Sequence, residues 1–134
     1  MRRFILSLLA AASSAALACG YCVEDKIAAT YDHAVVLKAV GLKHQVAFFH
    51  VDGGTATTRA ALLRTAEATP GVARGTVRVS EDGLTVSFAF SGGIAKVQAN
   101  LEKKLATRGA SLMLLRLLDK PGELKTVPAR TATQ

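Results

Sequence analysis

From residue 23 onward the apolar positions switch repeatedly between a helical period and a strand period. Ile27, Tyr31, Ala34 and Val35 fall at helical spacing, with Glu24 and Asp25 in the first turn, where the helix dipole favours negative charge. This predicts one helix over 23–40, stopped by Gly41. Residues 44–51, HQVAFFHV, read as a buried strand that Gly53-Gly54 breaks. A second helix is expected over 55–69, with Ala56, Ala60, Leu63 and Ala66 on one face and Pro70-Gly71 closing it.

The clearest local signal follows. Val77 and Val79 alternate with polar neighbours, Glu81-Asp82-Gly83 makes a turn, and Leu84, Val86, Phe88 and Phe90 alternate with Thr85, Ser87 and Ala89. This is the pattern of a hairpin with one buried face. Ile94, Val97, Leu101 and Leu105 then form a helical stripe that Gly109 ends, and 111–118, SLMLLRLL, fit a last, nearly continuous apolar strand. Residues 119–134 contain Pro121, Pro128 and mostly polar side chains, a composition expected to be disordered.

Residues 44–118 therefore run strand, helix, strand, strand, helix, strand. The expected class is α+β: a ferredoxin-like βαββαβ sandwich with both helices on one sheet face, and an extra N-terminal helix in front.

The first 18 residues carry a different signal. Arg2 and Arg3 precede an apolar run from Phe4, and Ala16-Leu17-Ala18 has the small-x-small pattern of a signal-peptidase site. The run is shorter than the roughly 20 residues needed to span a bilayer and is interrupted by Ser7, Ser13 and Ser14. Cleavage would place Cys19 at the new N-terminus of a periplasmic or secreted protein. Membrane attachment is expected only if Cys19 is lipidated, and Ala16 and Leu17 stand in the reverse of the lipoprotein order. The 17 basic residues, less Arg2 and Arg3, face 10 acidic ones, leaving a net charge of +5. No basic run is interleaved with aromatics, so nucleic acid is not an expected partner.

Cys19 and Cys22 are the two cysteines of the chain, spaced Cys-x-x-Cys. Such a pair can bind a soft metal, exchange a disulfide or, through an acylated first residue, anchor the chain. CGYC is also seen in thioredoxin-like isomerases, but that fold requires a strand before the pair and a cis-proline facing it; here a signal peptide precedes it. No spaced histidine pair, Ser/His/Asp pattern or phosphate loop is present, and the chain is not expected to be an enzyme.

The segment Val51–Val72, VDGGTATTRAALLRTAEATPGV, resembles the loop and first helix of heavy-metal-associated, copper-chaperone-like domains. Val51, Gly53, Thr55, Leu63, Pro70, Gly71 and Val72 match that pattern. Gly54 stands where the family has methionine, and Ala56 and Arg59 where it has its two metal-binding cysteines. The resemblance implies a ferredoxin-like fold and a metal-related role, without ligands from that loop.

Geometry suggests where replacement thiols would come from. A helix over 23–40 is about 27 Å long, close to the span of the following strand at about 3.3 Å per residue. Gly41-Leu42-Lys43 joins them, so an antiparallel return would carry Cys19 and Cys22 towards His50, Asp52 and Gly53-Gly54. Thiolates favour Cu(I) or Zn(II), with His50 as an imidazole third ligand. His33 lies roughly 16 Å up the helix from Cys22, and His44 belongs at the opposite strand end. The expected metal ligands are thus Cys19, Cys22 and His50. The expected function is binding or transfer of a soft ion, with a metal-delivery protein as partner; the alternatives are an interaction domain that keeps the fold without metal, and a thiol-disulfide redox protein.

Overall fold

The computed structural model describes residues 18–53, 59–120 and 123–126, with side chains from 23 to 53 and from 59 to 118. Residues 1–17 of the expected signal peptide lie outside the described residues. So do the first part of the expected second helix and the end of the tail.

The fold is α+β. Helices α1 (Ala18–Thr30) and α2 (His33–Gly41) lead into strand β1 (Gln45–Asp52). Helix α3 (Arg59–Glu67), strands β2 (Arg78–Val79) and β3 (Thr85–Phe90), helix α4 (Ile94–Ala106) and strands β4 (Ser111–Lys120) and β5 (Glu123–Thr126) follow. The antiparallel sheet has the order β2-β3-β1-β4-β5. Its first four strands, with α3 and α4, form an arrangement compatible with the ferredoxin-like sandwich.

As the alternation predicts, β2 and β3 pair across the Glu81–Gly83 turn, with Arg78 opposite Ser87 and Val79 opposite Val86. The expected stripe on the last helix is also seen. Val97, Leu101 and Leu105 are buried against Ala47, Phe49, Val51, Val86, Phe88 and Phe90. Helix α3 joins this core through Leu62 and Ala66, whereas Leu63 is 39% exposed. Its buried face is therefore rotated from the expected one, because Leu62 rather than Leu63 meets the sheet.

Three expectations are corrected. The helix expected over 23–40 is two helices, broken at Tyr31-Asp32. Asp32 takes an extended backbone and its carboxylate accepts the N–H groups of Ala34 and Val35, a cap that starts a new helix. Next, the hairpin has two buried faces: every residue of β3 is buried, because α1 and α2 cover the side turned away from α3 and α4. Finally, the tail expected to be disordered from 119 continues β4 to Lys120 and returns as β5, where Leu117 pairs with Lys125 and Leu118 with Leu124. Backbone pairing along β4 overrides the polar composition there.

The second core contains Ile27, Val36, Ala39, Val46, Phe48, Ala89, Leu115 and Leu118. A bulge in β4 serves it. Phe48 stands opposite Arg116 and Phe49 opposite Leu114, so Leu115 is the extra residue, and both Leu115 and Arg116 turn towards α1. On the loop side, Gly53 has φ +73°, and a Cβ there would lie 2.4 Å from the Gly109 carbonyl oxygen. The chain leaving β1 thus presses on the chain entering β4, a contact only glycine permits.

Candidate functional site

Helix α1 carries the cysteine pair, and two contacts fix its course. Glu24 pairs with the Arg116 guanidinium, and the Ser87 hydroxyl donates to the Thr30 carbonyl at 3.1 Å. Arg116 and Ser87 are the two register partners of Phe48. Six residues of helix rise about 9 Å, and two strand spacings are about 9.5 Å. Helix α1 therefore lies across β4, β1 and β3 at the level of Phe48, with its N-terminal part on the β4 side.

This course replaces the antiparallel return on which the proximity of Cys19, Cys22 and His50 was based. The backbone of both cysteines belongs to α1, inside the helix rather than ahead of it. Their side chains lie outside the described residues. His50 is two residues along β1 from Phe48, on the same sheet face, a step of about 6.6 Å.

The local setting of His50 is well defined. Its Nδ1 lies 2.9 Å from the Leu84 carbonyl oxygen, which can only accept. Nδ1 therefore carries a hydrogen, and in the neutral ring the lone pair is on Nε2. Imidazoles that bind metals are commonly oriented by this kind of carbonyl contact on the other ring nitrogen. Opposite His50 on β4 stands Met113, 54% exposed. Leu112 and Leu114 pack into the α3/α4 core, so Met113 faces the α1 side as His50 does. Sequence reasoning passed over this thioether, because strand register alone makes it a neighbour of the imidazole.

The other histidines lie elsewhere. His33 opens α2, and its Nδ1 meets the Tyr31 hydroxyl at 3.2 Å. His44 precedes β1, and its Nδ1 is buried with no hydrogen-bond partner among the described residues. Asp52 accepts the Gly53 N–H at 2.9 Å, and Arg59 donates to the Val79 carbonyl. Among the described residues no three His, Cys, Asp or Glu side chains converge on a point that could hold a metal.

Two carboxylates are held below their ordinary value. Asp32 is lowered mainly by the hydrogen bond from Arg78, at 3.0 Å, and then by the Val35 N–H. The Ser80 hydroxyl, followed by the Leu84 N–H, does the same for Asp82. Asp32 links α2 to β2, and the cavity beside it, about 700 Å³, is lined by Tyr31, Arg59, Leu63, Arg78 and their neighbours. Sequence reasoning missed this cavity, since α1, α2, α3 and β2 converge on it only in the folded chain.

Comparison with protein families, curated proteins and solved structures returns no match. Among the described residues, no helix is long and apolar enough to cross a membrane.

Proposed function

We propose that this chain is an exported, non-enzymatic metal-binding protein. It binds or transfers a soft ion such as Cu(I), or alternatively Zn(II), through Cys19 and Cys22, with His50 as an imidazole ligand. The observation carrying this reading is the orientation of His50: its Nδ1 is held by the Leu84 carbonyl, which in the neutral ring leaves Nε2 as the metal-binding nitrogen, on the sheet face that α1 crosses. Two thiolates three positions apart in one helix can serve a common ion, and soft sulfur selects Cu(I) or Zn(II). The resemblance of Val51–Val72 to heavy-metal-associated domains supports the same reading. Export to the periplasm or medium follows from residues 1–18, and a metal-delivery protein would be the physiological partner.

Reduced protein beginning at Cys19 is expected to take up about one equivalent of Cu(I), with thiolate-to-metal charge-transfer absorption. Cys22→Ser should abolish tight uptake, His50→Ala should weaken it less, and His33→Ala should leave it unchanged. Equal binding by wild type and the Cys19→Ser/Cys22→Ser variant would eliminate the reading.

A further inference from the structure

Among the described residues no strand lies beyond β2, which pairs with β3 on one side only. The Ser80 N–H donates to the Thr85 carbonyl at 3.0 Å, and this fixes the phase of the ladder. Main-chain groups of Arg78 and Ser80 turn towards β3, and those of Val77 and Val79 turn outward. Arginines cover both outward carbonyls: Arg59 Nε donates to Val79 at 3.2 Å, and Arg78 Nη1 donates to Val77 at 2.9 Å. The 700 Å³ cavity runs along this edge, between the α1–α2 turn and the start of α3. Tyr31 and Leu63, 43% and 39% exposed, give it apolar walls. The terminal guanidinium nitrogens of Arg59 have no partner among the described residues.

We propose that this groove receives an extended acidic segment of a partner protein, which pairs with β2 as an added strand and gives its carboxylates to Arg59 and Arg78. This proposal is independent of the metal reading. Adding a strand at a free edge supplies main-chain hydrogen bonds, with side-chain contacts selecting the sequence. A guanidinium that exchanges a neutral carbonyl for a carboxylate forms a stronger hydrogen bond. The released Val77 and Val79 carbonyls then accept peptide N–H groups. Arg78 approaches from the α2 side, where it meets Asp32, while Arg59 begins α3 on the other side. Successive residues of a strand point to opposite faces, so the recognised feature is two consecutive acidic residues flanked by residues of strand propensity.

The test is a titration of isotopically labelled protein with an eight-residue peptide of valine and threonine around a central pair of glutamates. A glutamine-pair peptide and a lysine-pair peptide serve as comparisons. Binding of the glutamate peptide at least about tenfold tighter than the glutamine peptide is expected, with the amide shifts centred on Val77–Val79. Arg59→Gln should remove most of that preference, and Arg59→Glu, shown folded by circular dichroism, should turn it towards the lysine peptide. Equal binding of the glutamate and glutamine peptides, no binding of either, or shifts centred elsewhere would overturn the proposal. Concentration-dependent protection of the same amides without peptide would assign the edge to a second copy of the chain and also overturn it.

Discussion

The two faces of the sheet are built differently. On the α3/α4 face, Phe49, Phe88 and Phe90 pack as an aromatic group, with Phe49 stacked on Phe88 at 5.5 Å and Phe90 edge-on to Phe88 at 6.4 Å. Leu62, Leu101 and Leu105 close over them. On the α1/α2 face the strands offer smaller or polar groups, Thr85, Ser87 and Ala89, and Phe48 is the large buried aromatic. The first face rests on apolar area, the dominant favourable term in folding. The second adds specific polar links: Ser87 to Thr30, Arg78 to Asp32 and Arg116 to Glu24. The smaller residues let α1 approach the strands closely, and the polar links orient it across them.

The largest effect that could break this comparison is Phe88→Ala. It should cost about 3–5 kcal/mol, because the ring is fully buried between two others. Urea unfolding measures it directly. Ile27→Ala, on the other face, should cost less, about 2 kcal/mol, since fewer large side chains surround the void. Hydrogen exchange should show α1 opening before α4. A larger loss from Ile27→Ala than from Phe88→Ala would reverse the assignment of the dominant core.

Acid sharpens the contrast further. Because the folded-state pKa of Asp32 lies below its ordinary 3.8, its contribution is complete above that value and is lost as pH falls through the lower folded one. Exchange at the start of α2 should therefore rise below about pH 4 while α4 amides stay protected. Asp32→Asn should remove the acid-sensitive step and loosen α2 near neutral pH, where the Arg78 ion pair is lost, and the difference from wild type should close as the wild-type carboxylate protonates. The smallest effect should come from Glu24→Gln. Glu24 is 59% exposed, so the change should cost less than about 1 kcal/mol, and salt should diminish the difference from wild type.

The three histidines show how far a candidate site can be read from a linear chain. His44 falls where the period of 44–51 puts it, just ahead of β1 and at the other strand end from His50, whereas His33, expected partway up one helix, opens a second one behind the Asp32 cap. The neighbours of His50 were not legible in the same way. Its contact with Leu84 spans 34 positions and its pairing with Met113 spans more, and both depend on register between strands. The bulge at Leu115 shifts that register, and no period of SLMLLRLL announces it.

The sequence by itself determined the α+β class, the order of elements from 44 to 118, the hairpin at Glu81–Gly83 and the buried stripe of α4. Each is a matter of periodicity and turn chemistry, which act over a few residues. Tertiary structure decided the rest. Residues 23–40 are two helices because the Asp32 cap competes with helix continuation and is reinforced by Arg78, 46 positions away. Only the folded sheet, with a second layer to cover, makes Thr85 and Ser87 buried residues, contrary to their polarity. The course of α1 across the strands, and hence the relation of the cysteine-bearing helix to His50, was likewise set by two long-range contacts that local pattern does not encode.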